Sequence, residues 1–194
     1  AFVEIARGLT DASTGDVTIS AWMKWSGDQE CAWAYALGSS ADRYLFATPR
    51  CGGNLIGAVK LQGEQRATND GPAASTRWTH VAVSLESGRR ITTFIDGQAV
   101  ASTATTATGA ATAGTDAFSG LLGKSFYGGD PFFAGALDDV RVDRAALSAE
   151  QVREIAAPAA SVIAASDAAA VDLGDTSAVV GDLVLPRLAT GGSS

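Results

Sequence analysis

The clearest regularity along the chain is an alternation of apolar and polar residues over short segments. In "DVTISAWMKW", every second residue from Val17 to Met23 is apolar. Successive side chains of a β-strand point to opposite faces, so this period of two predicts a strand. Because small and aromatic residues occupy the intervening positions, both faces of the strand are predicted to be partly covered.

The stretch "STRWTHVAVSLESGRRITTFIDGQAVAS" shows three apolar segments separated by two tight-turn signals. Ser87-Gly88 and Asp96-Gly97 are dipeptides typical of hairpin turns, so the stretch predicts three consecutive antiparallel strands. Val81, Val83 and Leu85 are predicted to share one face. "AFVEIARGL" begins in mid-strand and "NLIGAVKLQ" predicts another strand, whereas "GEQRATND" is interpreted as an exposed segment.

Both cysteines lie in "ECAWAYALGSSADRYLFATPRC", which alternates on either side of a turn near Gly38–Asp42. If Cys31 pairs with Cys51, the sequence positions of any two residues that face each other across the hairpin add up to 82. That register predicts Trp33, Tyr35 and Leu37 on one face, and Tyr44 and Phe46 on the other with Ala34 and Ala36. A disulfide closing this loop is predicted to stabilise the fold by roughly 3 kcal/mol. The alternative is two free buried thiols.

Two segments depart from the strand pattern. Residues 101–116, "ASTATTATGAATAGTD", have so few large side chains that they predict a mobile loop. Ser148 followed by Gln151 is a capping box, so it predicts a short helix with Val152 and Ile155 on its buried side and Pro158 at its end. Residues 158–194 are interpreted as a linker and the truncated start of a second β element, after a first domain spanning residues 1–157.

Composition narrows the class of protein. The 194 residues are 46% hydrophobic and 18% charged, enough to bury a core, and 22 glycines with many short apolar segments favour an all-β sandwich. A formal charge of -7, with scattered basic residues, argues against nucleic acid or anionic membranes as partners. The segments are too short to cross a membrane, and a secretion signal, if used, is expected upstream of residue 1.

Six segments, taken in order, carry a family resemblance: "DVTISAWMKW", "RYLFATPR", "STRWTHVAVSL", "TFIDGQAV", "LLGKSFYGGDPFFAGALDDVRV" and "ALSAEQV". Together they resemble the LamG-like jelly-roll domains of the concanavalin A-like superfamily that are appended to secreted actinobacterial glycoside hydrolases, arabinofuranosidases among them. The resemblance implies an all-β, two-sheet antiparallel jelly-roll sandwich with one short C-terminal helix. This chain departs from the usual pattern at Asp143, where such domains carry a tyrosine. The tail "VDLGDTSAVVGDLVLP" resembles the start of a bacterial Ig-like repeat.

The adjacent residues Asp138 and Asp139 raise the question of catalysis. On a regular strand, neighbours point to opposite faces, so the two carboxylates are not expected to flank one glycosidic bond at the roughly 5–9 Å that glycosidases use. The E-x-D-x-x-E strand of the related glucanases does not occur, nor does G-x-S-x-G. The fragment is therefore predicted to be non-catalytic, although its parent protein is expected to be a glycoside hydrolase.

The same edge is the candidate metal site. Domains of this kind hold a structural calcium near it, and the resemblance implies Asp138 or Asp139 as a ligand, completed by Glu4, Asp28 or backbone carbonyls. The alternative is a solvated acidic strand end paired with Arg141 or Arg144.

A site for a neutral saccharide needs aromatic faces and a few directed hydrogen bonds. The wider candidates are Trp25, Trp33, Tyr35, Tyr44, Phe126, Tyr127, Phe132 and Phe133, with Arg43, Arg66, Asp130 and His80 as polar partners. Most must lie in the core, and Trp22, Trp78 and His80 are interpreted as packing residues. The turn in "SFYGGDPFF" favours a smaller set, namely Phe126, Tyr127, Asp130, Phe132, Tyr44 and Arg43. The competing interpretation is that these loop aromatics only cover the sandwich edge.

The sequence thus predicts a secreted, extracellular module that binds or presents polysaccharide, such as arabinan, galactan or arabinoxylan, to a neighbouring domain of the parent chain. The alternative is a structural or protein-interaction spacer with no ligand of its own.

Overall fold

The computed structural model describes residues 2–10, 15–113 and 118–157. Residues 158–194, where the linker and the Ig-like element are predicted, lie outside the described residues. The described residues form eleven β-strands and two short α-helices. In chain order the elements are β1 (Val3–Thr10), β2 (Val17–Trp25), β3 (Tyr35–Ser40), β4 (Arg43–Cys51), β5 (Asn54–Leu61), β6 (Gly63–Thr68), β7 (Trp78–Glu86), β8 (Arg90–Ile95), β9 (Gln98–Ala104), α1 (Gly109–Ala113), β10 (Phe118–Leu122), β11 (Gly135–Asp143) and α2 (Ala149–Ala156).

The strands form two antiparallel sheets, which confirms the predicted all-β class. The six-stranded sheet has the order β1-β10-β3-β4-β5-β6, and the five-stranded sheet has the order β11-β2-β7-β8-β9. Neither helix in the described part of the chain is long and apolar enough to cross a membrane.

The inner faces of the two sheets form one buried core. Its members include the residues predicted to share a face on β2 and β7, together with residues of β3 and β4: Val17, Ile19, Ala21, Met23, Tyr35, Leu37, Leu45, Ala47, Val81, Val83 and Leu85. Two buried hydrogen bonds join the sheets through this core. The Tyr35 hydroxyl donates to the Val81 carbonyl at 3.0 Å, and the Thr93 hydroxyl donates to the Ala67 carbonyl at 2.8 Å.

The predicted Cys31–Cys51 disulfide is present, and the predicted register holds over the hairpin beyond it. Tyr35 pairs with Ala47 and Leu37 with Leu45, as the sum of 82 requires. The prediction for Trp33 is wrong, since Trp33 packs with Tyr44 and Phe46 while Ala34 enters the inner core. The reason is local: β3 begins only at Tyr35, and Cys31 has a positive φ of 55°, so residues before Tyr35 do not follow the strand alternation.

The hairpins of the five-stranded sheet follow the predicted turns. Asp96 and Gly97 both have positive φ, as the tight turn between β8 and β9 requires. Helix α2 packs against this turn so closely that a Cβ on Gly97 would lie 2.7 Å from the Arg153 Cα. The capping box at its start is confirmed, because the Gln151 N–H donates to the Ser148 hydroxyl at 3.3 Å and the Ser148 N–H to the Gln151 side chain at 2.9 Å. Val152 and Ala156 are its buried residues, and Ile155 is only half-buried.

Two segments interpreted as irregular are ordered. Residues 63–68, predicted to be an exposed segment, pair with β5 along their whole length as β6. The mobile loop predicted for residues 101–116 is also wrong over its described part, since residues 101–104 complete β9 and Ala107 and Thr112 are buried. Small side chains are needed there because α1 approaches the backbone closely: a Cβ on Gly109 would lie 2.3 Å from the Gly15 carbonyl oxygen.

Candidate functional site

The outer face of the six-stranded sheet carries a second cluster of aromatic side chains, separate from the inner core. Strand alternation on β4 sends Leu45 inward and therefore Tyr44 and Phe46 outward. Trp33 lies flat on Phe46, with ring centroids 3.8 Å apart and 13° between the planes, and meets Tyr44 edge-on at 4.8 Å. Residues 123–134 cross the sheet and bring Tyr127 edge-on to Trp33 at 5.9 Å.

These rings form the floor of a cleft of about 290 Å³, which we call the aromatic cleft. Its lining residues are Cys31, Trp33, Tyr44, Phe46, Cys51, Ile56, Glu64, Arg66, Tyr127 and Asp130. The volume lies at the small end of the range for ligand sites in proteins, roughly 300–1,000 Å³. The floor is apolar while Glu64, Arg66 and Asp130 supply polar groups, so the cleft combines the two features that a saccharide site requires.

A continuous chain of hydrogen bonds fixes the polar groups of the cleft. The Lys60 ammonium donates to the Tyr127 hydroxyl at 3.0 Å, which lies 3.1 Å from the Tyr44 hydroxyl. The Tyr44 hydroxyl donates to Glu64 Oε2, and Arg66 Nε donates to Glu64 Oε1 at 2.5 Å. The Glu64 carboxylate is thus held from both sides, and Arg66 remains half-exposed above the floor.

The protonation states along this chain follow from its surroundings. Burial, reinforced by the hydrogen bond to the Glu64 carboxylate, raises the pKa of the Tyr44 phenol far above its usual value. The hydrogen bond to Tyr127, aided by the nearby Asp42 carboxylate, raises the pKa of Lys60. Tyr44 therefore keeps its proton and Lys60 its charge around neutral pH, so Tyr44 can donate to Glu64 and Lys60 to Tyr127.

Three of the six predicted saccharide residues line the cleft, namely Tyr44, Tyr127 and Asp130. Phe126 lies beside it, stacked on Tyr44 with ring centroids 6.4 Å apart. The other two lie away from the cleft, contrary to the expected grouping. Phe132 is exposed and stacks on Phe2 at 6.0 Å. Arg43 is exposed, and its guanidinium donates to the Ala111 carbonyl at 3.5 Å.

Four further residues complete the site: Trp33, Phe46, Glu64 and Arg66. Trp33 and Arg66 are among the wider candidates but not in the smaller predicted set, while Phe46 is predicted only as a strand residue and Glu64 is not predicted at all. The sequence does not show that Glu64 and Arg66 share a face, because residues 63–68 contain too few apolar residues to show a strand pattern. The available signal was their spacing of two, which places both side chains on one face once the segment is paired with β5.

The paired aspartates of β11 do not sit on a regular strand. A bulge between Asp138 and Arg141 interrupts the pairing with β2, and Asp139 has a positive φ of 46°. The premise that strand alternation separates the two carboxylates is therefore wrong at this point. Asp139 instead forms a two-pronged ion pair with Arg141, at 2.9 and 2.7 Å, and that hydrogen bonding lowers the pKa of Asp139.

The predicted calcium ligands Asp138, Asp139, Glu4 and Asp28 are not brought together. Over residues 2–10, 15–113 and 118–157, no group of three or more His, Cys, Asp or Glu side chains is arranged to hold a metal ion. Both oxygens of Asp139 bind Arg141, and Glu4 lies on β1 in the other sheet. These four side chains therefore do not form a calcium site by themselves, and a calcium ion held by one aspartate with backbone carbonyls stays a prediction.

The outer face of the five-stranded sheet carries Trp22, Trp78 and His80. His80 is buried, and this burial lowers its pKa to about 4 against the opposing effect of the Asp96 and Asp139 carboxylates. Trp22 meets the imidazole edge-on, with ring centroids 5.5 Å apart, so both residues pack as predicted. Trp78 does not, because it is 42% exposed, and its interpretation as a packing residue is wrong.

A larger cleft of about 510 Å³ lies on the same face, between β7, β8, β9 and the segment that precedes α2. Hydroxyls and small residues dominate its lining, and Phe94, 3% exposed, is the aromatic ring among them. This cleft offers little aromatic surface to a sugar, so the aromatic cleft is the better candidate despite its smaller volume.

Comparison with solved structures finds the same fold in proteins of low sequence identity. Domain 4 of AbnA, a GH43 extracellular arabinanase from Geobacillus stearothermophilus, solved in complex with arabinotriose, is 20% identical with a TM-score of 0.64, over 73% of this chain and 66% of that one. The chain thus spans slightly less than two thirds of that structure. The Ruminococcus gnavus IT-sialidase CBM40 bound to α2,3 sialyllactose is 16% identical, with a TM-score of 0.58 over 80% of this chain and 96% of that one. The heptameric SAP-like pentraxin from Limulus polyphemus is 15% identical, with a TM-score of 0.62 over 80% and 75% of the two chains.

At the level of sequence, no curated protein matches the chain. The Laminin_G_3 family, described as concanavalin A-like lectin/glucanases superfamily, matches residues 1–153. That range includes both sheets and the start of α2, and it covers well over half of the chain. The chain therefore belongs to the Laminin_G_3 family of the concanavalin A-like lectin/glucanases superfamily.

Proposed function

We propose that this chain is a non-catalytic carbohydrate-binding module of an extracellular glycoside hydrolase, and that the aromatic cleft is its binding site. The observation that carries the proposal is the cleft itself, where a floor of packed rings adjoins a carboxylate and a guanidinium whose positions are fixed by hydrogen bonds. Preorganised polar groups beside aromatic surface suit the hydroxyls and C–H faces of a sugar. Two solved structures of this fold were determined with an oligosaccharide bound, which supports the same reading.

The extracellular setting is supported by the Cys31–Cys51 disulfide, because such bonds persist in oxidising compartments. Plant-type neutral polysaccharides, namely arabinan, galactan and arabinoxylan, are the glycans we propose to test first. The catalytic domain that the module would serve lies elsewhere in the parent protein.

Affinity electrophoresis in gels containing each polysaccharide tests the proposal. The wild-type chain is compared with Arg66→Ala, which removes the cleft guanidinium, and with Arg89→Ala, which removes a similarly exposed guanidinium paired with Glu86 at a distant turn. We expect saturable retardation with a Kd of about mM to µM, weakened about tenfold by Arg66→Ala. Arg89→Ala should behave like the wild type. Absence of retardation by every glycan, or equal effects of the two variants, would overturn the proposal.

One observation favours the alternative of a spacer that contacts protein. Phe2, Val3 and Phe132 are exposed apolar side chains, and the two phenylalanine rings stack on each other. Exposed apolar patches often mark protein contacts. If the chain binds no glycan while Phe132→Ala weakens its association with the neighbouring domain of its parent, the spacer function replaces the binding function.

A further inference from the structure

The outer face of the five-stranded sheet is covered along only part of its area. Val152 of α2 packs on Ala82 and Phe94 in a small apolar cluster. Beyond the reach of this cluster, Trp78 is 42% exposed, although the seven residues that follow it on β7 are buried. Trp78 is thus an open indole at the end of an otherwise buried strand, and tryptophan is enriched at contact surfaces.

Strand pairing places a second indole beside Trp78. Trp22 lies directly opposite His80, and Lys24 lies directly opposite Trp78, so all four side chains are on the same face. Trp22 and Trp78 are therefore diagonal neighbours on adjacent strands, about 7–8 Å apart at the backbone. We call the part of this face that carries Trp22, Lys24, Trp78, His80 and Asp138 the Trp78 platform.

Polar groups border the platform on one side. Asp138 on β11 pairs directly with Trp22 and is exposed. One of its carboxylate oxygens accepts the Asp139 N–H at 2.8 Å, and within the described ranges the other makes no hydrogen bond or ion pair. Lys24 is exposed next to Trp78. A carboxylate and an ammonium thus lie beside the rings, where they can form hydrogen bonds with the hydroxyl groups of a ligand.

The charges around the platform balance. Asp139 pairs with Arg141, and Asp96 pairs with Arg77 at 3.6 Å. The remaining carboxylate of Asp138 and ammonium of Lys24 have opposite signs, and the buried His80 stays neutral around pH 7 because its pKa is lowered. The surface therefore has no net charge to attract an anion or a cation, and it favours a neutral ligand.

His80 adds an unsatisfied polar atom beneath the platform. Its Nδ1 is buried and has no hydrogen-bond partner among the residues that the structure describes. Buried polar atoms in native proteins are nearly always bonded, often to water or a ligand. Since this nitrogen is fully buried, it does not itself contact a ligand on the platform, and the imidazole serves the platform as the packing partner of Trp22.

We propose that the Trp78 platform is a second saccharide-binding surface, which takes a neutral sugar ring stacked on Trp78 with its hydroxyls bonded to Asp138 and Lys24. It is independent of the aromatic cleft, because the two lie on the outer faces of different sheets. One module would then contact two glycan segments at once and gain avidity without any further contact.

The four tryptophans allow both sites to be observed in one experiment. The indole N–H signal of Trp33 reports on the aromatic cleft and that of Trp78 on the platform, while Trp25, which is 2% exposed, serves as an internal control. Single Trp→Phe variants assign the signals. The probes are arabinotriose, xylotriose and galactotriose, each titrated to about 10 mM, a range suited to weak sugar binding.

We expect a saturable shift of the Trp78 signal in the wild type and also in Arg66→Ala, with Trp25 unchanged. In polysaccharide gels, Trp78→Ala should weaken retention about tenfold through loss of avidity, whereas Phe132→Ala, which removes another exposed ring, should not. If Trp33 shifts and Trp78 stays still with all three sugars, the platform is excluded and the cleft stands.

The remaining outcomes show whether the platform, the cleft, both or neither binds the sugar. If Trp78 shifts and Trp33 does not, the platform stands and the proposed role of the cleft fails. If the Trp78 shift disappears in Arg66→Ala, the platform is not independent and the inference is overturned. If neither signal moves, both proposals fail. A Trp78 signal that depends on protein concentration, and not on sugar, would assign the surface to a protein contact.

Discussion

The two outer faces of the sandwich differ in how far their aromatic side chains are covered. On the six-stranded sheet, Trp33 and residues 123–134 fold back over Tyr44 and Phe46, so the rings are buried and polar groups stand at the edge of a small cleft. On the five-stranded sheet, α2 covers Phe94, whereas Trp78 is open to solvent. One face therefore offers a shallow aromatic cleft with fixed polar groups, and the other offers an exposed indole.

The difference indicates how each face would select a ligand. A site with preorganised hydrogen bonds gains specificity from them, whereas an open indole gains contact area with little geometric demand. We therefore expect the cleft to discriminate among sugars and the platform to tolerate many neutral ones. The following predictions test this contrast, from the largest expected effect to the smallest.

Matched truncations of one buried ring on each face should have equal costs in stability and different costs in function. Phe46→Ala and Phe94→Ala each remove a ring that is 3–4% exposed, so each should lower the free energy of unfolding by about 3–5 kcal/mol. Only Phe46→Ala should abolish glycan retention through the cleft, since Phe94 lies under α2. Urea denaturation and affinity electrophoresis measure both effects. Equal loss of binding in the two variants would contradict the separation of the faces.

Removal of the disulfide should change the local structure of the cleft face and leave that of the platform face unchanged. The bond joins residues 20 apart and lines the cleft next to Trp33. Replacing both Cys31 and Cys51 with serine should lower the free energy of unfolding by about 3 kcal/mol. The Trp33 indole signal should change because the irregular segment before β3 is released. The Trp78 signal should stay as in the wild type. An unchanged Trp33 signal would show that the ring stack, and not the bond, holds that segment.

Acid should weaken the fold through the platform face. His80 has a pKa lowered to about 4 in the folded chain from about 6.5 in the unfolded chain, so only the unfolded state takes up its proton between these pH values. His80 therefore does not reduce the free energy of unfolding above about pH 6.5. As the pH drops towards 4, the free energy of unfolding falls, by at most about 3 kcal/mol in total.

His80→Gln provides the control for this acid effect. It should flatten the pH dependence of the unfolding free energy in that window, whatever its effect on the absolute stability. The carboxylates of Asp96 and Asp139 and the guanidinium of Arg141 face the same imidazole and remain in both proteins. Identical slopes in the two proteins would show that another group carries the acid effect.

Chelation of calcium should have the smallest effect. Because the predicted carboxylate ligands are not assembled in the described residues, EDTA should shift the melting temperature by less than about 1 °C. A larger drop, restored by added Ca²⁺ and not by Mg²⁺, would show that backbone carbonyls complete a site at this edge.

Much of the fold was predictable because it depends on regular alternation. The register of the β3–β4 hairpin and the inner faces of β2 and β7 follow directly from the period of two. The failures occur where backbone geometry breaks that period. Trp33 precedes the start of β3, and Asp139 occupies a bulge, so neither side chain lies where simple alternation would place it.

Parts of the site were hidden for a different reason. The polar strand β6 is recognised only by its pairing with β5, which the sequence does not display, and it carries Glu64 and Arg66. In the described part of the Ala/Thr/Gly segment, Thr105, Ala107 and Thr112 are buried and Gly109 lies against the Gly15 carbonyl, so its small residues fit a tightly packed site. The exposure of Trp78 is a tertiary feature that the alternation along β7 does not report.

The most direct test of the central claim is a crystal structure of the chain soaked with the neutral oligosaccharide that binds most tightly in the electrophoretic panel. The account predicts a sugar ring in the aromatic cleft, between the Glu64–Arg66 pair and the Tyr127–Asp130 turn, with its hydroxyls bonded to Glu64 and Arg66. A bound sugar that leaves this cleft empty, or a panel in which no neutral glycan binds, would contradict it.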